Sequence, residues 1–398
     1  MTDEAAPGRQ LRAGEIVAYA TPQIGINLMG ALVGQWLTYL YVPPDGSGRT
    51  ALIGAGVFAT VMLIGRIVDG VADPLVGYAS DRTRTRWGRR MPWILGGTPL
   101  LALSYAAMWW PPDADPTPRN ALWLGAALVV YWIAFTVVIG PYSALLPEIA
   151  QNTRDRVKLS SYMALFTVGG VVLGLGVGPL QSRFPDGFTL AGITFSTGLQ
   201  GGAVAATVVI ALTMIATPLG IRESPHAENK EVPAGLFRGL WLAAKNPAFL
   251  AFLGLSVLVQ LGAQVFGVSL PYLCTQVLER DPGAAGIVAS GQGEAWASKL
   301  QIILFATSLL AIPAVNVVVR RTGKKRLMLF ATSTFAAVLC LVPYVTLFPD
   351  PALPMIVACV LMGVPVSCVL VVVNAVWADV VDYDEQRTGV RREGIYAG

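Results

Sequence analysis

Three charged side chains lie inside one long apolar stretch of the sequence. The segment RIVDGVADP, residues 66–74, places Arg66, Asp69 and Asp73 within mostly apolar surroundings. On an α-helix, with roughly 100° between successive residues, Asp69 lies about 60° and Asp73 about 20° from Arg66, so all three share one face. They can meet as i,i+3 and i,i+4 neighbours. Two carboxylates and one guanidinium leave one negative charge without a partner.

This surplus charge decides between two interpretations of the segment. A charged side chain costs at least about 2.5–3.5 kcal/mol at the centre of a bilayer, so the face must look into a helix bundle or a wet cavity. A structural ion pair that fixes helix packing is the first interpretation. It does not explain the second carboxylate, which either takes up a proton or waits for a cation. The second interpretation is a cation-coupling site with H⁺ or Na⁺ as the ion and no other metal or cofactor.

Polar side chains in other apolar stretches predict a cavity for a solute. Tyr19, Gln23 and Asn27 are spaced by four residues, which places them within about 80° on one helix face. A lone amide in such a stretch is explained equally well by an interhelical hydrogen bond, whereas several on different helices favour a polar cavity. Tyr142 follows Pro141, where its helix could be broken. The candidate cavity residues are Tyr19, Gln23, Asn27, Tyr142, Gln260, Gln264 and Asn374.

The elements that must position these residues are membrane-spanning helices. Of the 398 residues, 54% are hydrophobic and only 13% are charged, and the mean hydropathy is +0.60. These values exclude an ordinary soluble protein and predict an all-α polytopic membrane protein. Ten apolar segments are long enough to cross ~30 Å of hydrocarbon. They lie near residues 16–42, 51–77, 91–110, 121–146, 159–180, 200–220, 248–274, 298–319, 327–348 and 353–377.

The positive charges fix the expected orientation of these spans. If the N-terminus is cytoplasmic, 22 of the 28 lysines and arginines fall at the cytoplasmic side. Positive residues concentrate in cytoplasmic loops of membrane proteins. We therefore expect a multi-pass protein of the cell membrane, plasma or inner, with its N-terminus in the cytoplasm.

Two basic turns suggest an internal duplication. Gly88 and Gly323 each precede two cations in a turn between spans, 235 residues apart, and Glu148 and Asp379 end spans 231 residues apart. Inverted or parallel repeats are common in transporter folds. The predicted organisation is an N-terminal six-helix half (1–220), a cytoplasmic linker (221–247) and a C-terminal half (248–398).

The same repeat predicts more helices than the sequence contains. Partners of spans 5 and 6 would lie near 394–415 and 435–455, whereas the sequence stops at Gly398. We expect about ten of twelve helices to be present, as in a truncated product or a fragment. A protein built with ten helices is the alternative.

The basic turns are also candidates for a gate. The sequence SDRTRTRWGRR, 80–90, is denser in cations than orientation alone requires. We expect it to stabilise one arrangement of the two halves. The candidate gate residues are Asp81, Arg82, Arg86, Gly88, Arg89, Arg90, Glu148, Asp379 and Asp382.

Other functional classes find little support in the sequence. The one histidine, His226, lies in the central linker, and no nucleophile, metal-ligand cluster or phosphate loop emerges. The net charge of +4 requires no nucleic-acid partner, because the cations lie in particular loops. We expect no enzymatic activity, and a protein that acts as a monomer on a small solute within the lipid bilayer.

Several motifs resemble one transporter family. The segments RIVDGVADP and SDRTRTRWGRR, then PYSALLPE at 141–148 and ADVVDYDE at 378–385, are similar to motifs of the glycoside–pentoside–hexuronide:cation symporters. This branch of the major facilitator superfamily includes the melibiose carrier. The resemblance implies two six-helix halves with alternating access, in which Asp69 and Asp73 help to bind the coupling ion.

The sequence departs from the melibiose-type pattern at sugar-binding positions. By alignment with the family, Asn27 and Ile139 replace aspartates, Ser143 replaces a tryptophan and Ala164 replaces an arginine. The resemblance therefore implies a cation-coupled transporter of a sugar, a glycoside or a similar small solute. Alternatives are uncoupled or lysolipid-type transport, as in animal relatives of this branch, and a truncated membrane protein that transports nothing.

Overall fold

The computed structural model describes residues 11–44, 49–150, 153–190, 192–221, 247–278, 292–342, 344, 348 and 351–388. The chain divides into two compact units, Met1–Lys230 and Glu231–Gly398. The boundary predicted between the halves lies in a segment outside the described residues. Each unit is helical, as the apolar composition predicts.

The first unit begins with one span that changes its helix type along its length. Helices α1 (Ala13–Ala20) and α2 (Pro22–Ala31) are followed by a π-helical turn, Leu32–Trp36, and by α3 (Leu37–Tyr41). Pro22 is tolerated because it occupies the first position of α2, where a backbone N–H would lack an intrahelical partner. At the far end, the Tyr41 hydroxyl donates a hydrogen bond to the Met108 carbonyl, 2.9 Å away.

Five further spans complete the helices described in the first unit. They are α4 (Ala55–Arg82), α5 (Met91–Met108), α6 (Pro118–Ile149), α7 (Thr153–Leu175) with its continuation α8 (Val177–Arg183), and α9 (Gly198–Gly220). Helix α6 packs against α4 and α5, and α2 packs against α7 and α9. The candidate functional site is built from α1, α2, α4, α6 and α7.

Glycine allows α2 and α7 to approach closely. A Cβ atom at Gly170 would collide with the backbone carbonyl of Ile24, and a Cβ at Gly174 would lie 2.8 Å from the Cβ of Ala31. Small residues at such crossings let helix backbones make van der Waals contact within a membrane. The contact brings Thr167, one turn before Gly170, next to the polar face of α2.

A short hairpin joins α8 to α9. Strands β1 (Phe188–Leu190) and β2 (Ile193–Phe195) pair antiparallel, with Phe188 opposite Phe195. The Phe188 and Phe195 rings are 5.0 Å apart and pack against neighbouring aromatic rings. The all-α fold predicted from the sequence did not include these two strands.

The second unit contains four long helices in its described part. These are α10 (Pro247–Leu273), which runs into a π-helical turn at Cys274–Leu278, then α11 (Gly293–Thr322), α12 (Lys324–Leu341) and α13 (Ala352–Thr388). Helix α13 packs against α11 and α12. Gly323, with φ of +82°, separates α11 from α12, and Gly88, with φ of +101°, separates α4 from α5. Both predicted turns therefore have a glycine with positive φ. A residue with a Cβ atom would pay about 1 kcal/mol or more to adopt this backbone conformation.

The predicted spans agree with the helices of the described residues. All ten coincide with helical stretches, and eight of these are long and apolar enough to cross a membrane. The other two, α5 and α12, have 18 residues each. Helix α12 begins with Lys324, Lys325 and Arg326, which lower its mean hydropathy.

Candidate functional site

Two carboxylates of one candidate span meet at one hydroxyl group. Asp69 and Asp73 lie one turn apart on α4 and face Thr136 of α6. The Thr136 hydroxyl oxygen is 3.2 Å from Oδ1 of Asp69 and 3.0 Å from Oδ1 of Asp73. Thr136 is only 2% exposed, so this hydroxyl points into the helix contact. The structure thus brings both predicted coupling carboxylates to one point.

One hydroxyl cannot satisfy both carboxylates at the same time. A threonine side chain has a single O–H donor, so it serves one carboxylate while the other faces only the lone pairs of the hydroxyl oxygen. The two carboxylates around this hydroxyl also repel each other. A proton on the second carboxyl group, or a small cation between the oxygens, removes both problems.

Arg66 compensates the pair only partly. Its Nη1 atom is 3.8 Å from Oδ2 of Asp69, which agrees with the predicted i,i+3 contact, and its side chain is 54% exposed. The guanidinium also stacks on the Trp132 ring, 4.1 Å from its centroid. A long, exposed ion pair of this kind contributes little stabilisation, about 0–1 kcal/mol. Among the residues that the structure describes, two carboxylates thus share the one guanidinium beside them.

A second polar cluster connects α2 with α7. The Asn27 amide nitrogen is 3.2 Å from the Thr167 hydroxyl and 3.3 Å from Oε1 of Gln23. The Thr167 hydroxyl donates to the same Gln23 oxygen, at 3.3 Å. We refer to Gln23, Asn27 and Thr167 as the amide network. Gln23 and Asn27 remain partly exposed.

The tyrosine pair at the end of this network differs from the expectation of an open cavity wall. The Tyr19 and Tyr142 rings stack 4.7 Å apart, and each hydroxyl donates to the carbonyl of the other residue, at 3.0 and 2.8 Å. Both side chains are at most 2% exposed. The predicted break at Pro141 is also wrong, since α6 runs without interruption from Pro118 to Ile149. In this structure the pair links α1 to α6 with both side chains buried, and the cavity role predicted for Tyr19 and Tyr142 stays a prediction.

The basic turn between α4 and α5 docks onto the end of α6. Gly88 closes the turn, because its carbonyl accepts a hydrogen bond from the Thr85 hydroxyl at 2.6 Å. Arg90, only 6% exposed, donates from Nη1 to the Ala144 carbonyl. Arg82 and Arg86 instead lie over the rings of Tyr78 and Trp87, at 3.7 and 5.2 Å.

Comparison with known proteins identifies the family. The family described as MFS/sugar transport protein matches residues 18–398. The chain belongs to this family. Its members are transporters, and the family together with the eight candidate spans makes the chain a multi-pass membrane protein.

Individual relatives of this MFS/sugar transport chain agree with the assignment. A protein named as an uncharacterized symporter, sll1374 of Synechocystis sp., is 40% identical over 131 residues, covering 31% of this chain and 24% of that protein. The sphingosine-1-phosphate transporter MFSD2B of Mus musculus is 26% identical over 348 residues, covering 83% of this chain and 66% of that protein. The matched part is thus less than two thirds of either relative.

A solved structure shows the same fold. A structure of the nucleoside transporter NupG matches 96% of this chain and 85% of its own, with a TM-score of 0.65 and 15% identity. The fold of this MFS/sugar transport chain is therefore that of the major facilitator transporters, as the motifs predict.

Several other predicted site residues belong to the second unit or to the basic turn, or lie outside the described part. Gln260 and Gln264 are exposed side chains one turn apart on α10 of the second unit, and Arg89 is partly buried in the basic turn. The roles predicted for these residues stay predictions. The same holds for five residues whose side chains lie outside the part that the structure describes, namely Asp81, Glu148, Asn374, Asp379 and Asp382.

Two threonines of the candidate site were not predicted from the sequence. Thr136 and Thr167 each lie in a mostly apolar span, where a threonine bonded to its own helix gives no functional signal. Thr207 is such a case, since its hydroxyl donates to the Ala203 carbonyl. Thr136 and Thr167 become informative only when the partner helix is known.

Proposed function

We propose that the chain is a cation-coupled secondary transporter, which moves a sugar or a similarly small organic solute across a cell membrane by alternating access. The observation that carries this proposal is the single Thr136 hydroxyl shared by Asp69 and Asp73. Such a site favours binding of H⁺ or Na⁺ because the ion relieves the repulsion between the carboxylates. The symporter relative from Synechocystis supports coupling as well.

The proposed coupling follows from the free-energy cost of enclosing an uncompensated carboxylate within the membrane. With the ion bound, the carboxylate pair carries less net charge, and enclosing it in a closed, dry state costs less. The ion thereby shifts the population toward states in which the solute site can change its access. In this proposal the amides of Gln23 and Asn27 offer hydrogen bonds to the hydroxyl groups of the solute.

The setting of the protein belongs to the same proposal. We infer that it resides in the plasma or inner membrane with its N-terminus in the cytoplasm, on the distribution of lysine and arginine. It acts as a monomer, with the solute and the bilayer as its partners, and without a nucleic acid. Its role is transport and not catalysis.

The test is uphill accumulation in proteoliposomes. Labelled pentoses and glycosides are offered under an imposed Na⁺ or pH gradient, and accumulation identifies both the solute and the ion. Asp69→Asn and Asp73→Asn should abolish accumulation while solute exchange at equilibrium persists. Asp186→Asn, at an exposed loop position, is the matched control. Full accumulation in both site variants would refute the coupling role.

A lipid substrate is the second candidate. The similarity to the mouse sphingosine-1-phosphate transporter, over 83% of this chain, favours it. Asn27 and Ile139 also lack the carboxylates with which melibiose-type members hold sugars. The same proteoliposomes, given labelled lysolipids, distinguish the two. Lysolipid movement without any sugar uptake would select the lipid candidate.

A further inference from the structure

The orientation of the Asn27 amide is fixed by the chemistry of its partners. The amide nitrogen donates to the Gln23 backbone carbonyl at 2.8 Å. A backbone carbonyl can only accept, so the atom of Asn27 that faces it must be the nitrogen. The same nitrogen lies 3.2 Å from the Thr167 hydroxyl and 3.3 Å from Oε1 of Gln23. Three acceptors therefore hold the nitrogen of this amide on the protein side.

Thr167 connects both amides of the network from the opposite helix. Its hydroxyl oxygen accepts from Asn27, and its proton is donated to Oε1 of Gln23. The Thr207 hydroxyl differs, because it donates to the Ala203 carbonyl of its own helix. Thr167 thus uses its donor and an acceptor lone pair on side chains of α2. Its hydroxyl is placed to hold the two amides and is not spent on α7.

The carbonyl oxygen of the Asn27 side chain has a different environment. The hydrogen bonds of this side chain all use the nitrogen, and within the described ranges Oδ1 accepts none. The residue is only half-buried, so the helix contact does not enclose it. An amide oxygen without a hydrogen bond is costly in hydrocarbon. This cost favours contact of Oδ1 with water or with a polar ligand.

The surroundings of this oxygen are uncharged. Besides the bonds among its own members, the network donates from Gln23 to the Tyr142 hydroxyl. In the part of the chain that the structure describes, no charged side chain bonds to Gln23, Asn27 or Thr167. A neutral carbonyl oxygen accepts from an uncharged O–H group without leaving a charge uncompensated. The open end of the network is therefore suited to a neutral hydroxyl group.

We propose that Thr167 is a positioning residue of the solute site, which holds the Asn27 amide so that Oδ1 accepts a hydrogen bond from one hydroxyl group of the solute. The solute class is then a neutral polyhydroxy compound. This inference rests on the proposed transport of a small solute. It adds the atom that recognises the solute and the residue that orients this atom, and Thr167 acts through Asn27 without touching the solute.

The expected effect is that of one neutral hydrogen bond. Thr167→Val keeps the shape of the side chain but removes an acceptor from Asn27 and a donor from Gln23, so the Asn27 amide can rotate. One such bond changes an affinity about fivefold. The KM for the solute should therefore rise about fivefold while kcat stays near the wild-type value. Thr167→Ser retains the hydroxyl and should restore the KM.

The experiment measures which hydroxyl groups of the solute are recognised. Labelled D-xylose and methyl β-D-glucopyranoside are the probes in proteoliposomes, and their monodeoxy forms are unlabelled competitors. In the wild type, one deoxy form should compete about fivefold more weakly than its parent, because it lacks the hydroxyl that donates to Asn27. In Thr167→Val, the parent and this deoxy form should compete almost equally. Thr207→Val, the matched control, should keep the wild-type preference.

A double variant tests whether Thr167 acts through Asn27. Asn27→Ala removes the accepting oxygen itself and should abolish the same preference. Thr167→Val combined with Asn27→Ala should then show the KM of Asn27→Ala alone, because two residues that form one interaction are not additive. Multiplied effects, about 25-fold in KM, would contradict the positioning role.

The outcomes separate this inference from the proposed transport. Uptake of neither probe by the wild type would overturn both sugar transport and the predicted hydroxyl contact. Uptake with an unchanged preference in Thr167→Val would overturn the positioning role and leave the proposed transport intact. The preference is a ratio between two competitors and does not depend on the amount of folded protein, so partial misfolding of a variant does not affect the result.

Discussion

The carboxylate pair and the amide network belong to the same unit, but their polar atoms are satisfied to different degrees. In the amide network, Asn27 donates to Gln23 and Thr167, and Thr167 donates back to Gln23. In the carboxylate pair, one threonine proton faces two carboxylates. The first cluster is neutral and hydrogen-bonded within itself, and the second has two carboxylates beside one guanidinium.

This difference separates the roles expected of the two clusters. A closed polar network inside a membrane bundle holds helices in register, and each hydrogen bond adds about 0.6–2 kcal/mol. An incomplete, charged cluster costs stability and is retained where it binds something. We therefore expect changes in the amide network to affect folding and solute binding, and changes at the carboxylate pair to affect mainly ion dependence.

The strongest test of the network is at its helix crossing. Gly170→Leu should destabilise the protein by about 3 kcal/mol, because the new side chain collides with the Ile24 backbone and separates α2 from α7. Gly169→Leu is the matched control, since a Cβ there meets nothing within 4 Å. Thermal unfolding in detergent measures both. Equal stability of the two variants would show that the crossing is not tight.

A substitution of Thr136 tests the carboxylate pair. Thr136→Ala removes the shared hydroxyl, and the loss of a hydrogen bond to a charged group, about 2 kcal/mol, should raise the ion concentration for half-maximal uptake about 30-fold. Thr136→Ser should restore it. Thr207→Ala, which removes a hydroxyl bonded within its own helix, is the control. An unchanged ion dependence in Thr136→Ala would show that the hydroxyl takes no part in ion binding.

The tyrosine pair should affect stability alone. Tyr142→Phe leaves the Tyr19 carbonyl without its donor and Gln23 without an acceptor, which we expect to cost about 1 kcal/mol. Tyr162→Phe, at an exposed side chain, should cost nothing measurable. Chemical unfolding gives the stability, and ion titration of uptake should coincide with wild type. A shifted ion dependence would show that the tyrosine pair contributes to ion coupling.

The smallest expected effect concerns Arg66. Arg66→Lys keeps the charge but loses the planar stacking on Trp132, at a cost of about 0.5 kcal/mol. A double-mutant cycle with Trp132→Phe isolates this contact. Accumulation should continue in the lysine variant. Its complete loss would mean that the guanidinium takes part in ion binding and is more than a partial counter-charge.

The sequence allowed the spans and the α4 face to be predicted for a simple reason. Hydrophobic length and helical periodicity are local properties, and Arg66, Asp69 and Asp73 lie on one helix. Thr136 and Thr167 could not be found in this way, because their partners belong to other helices. Tyr142 shows the opposite error, since a local proline suggested a break where packing keeps α6 continuous.

The π-helical turn at Leu32–Trp36 has a consequence for the whole first span. The Leu37 amide bonds to the Leu32 carbonyl, five residues earlier, so this turn holds one residue more than an α-helical turn. One extra residue corresponds to roughly 100° of rotation about the helix axis. Deleting one residue there would turn the Tyr41 end, which bonds to α5, relative to the Asn27 end, which bonds to α7. The span would keep its hydrophobicity and lose one of its two sets of neighbours, so its length in residues is a constraint as strict as its composition.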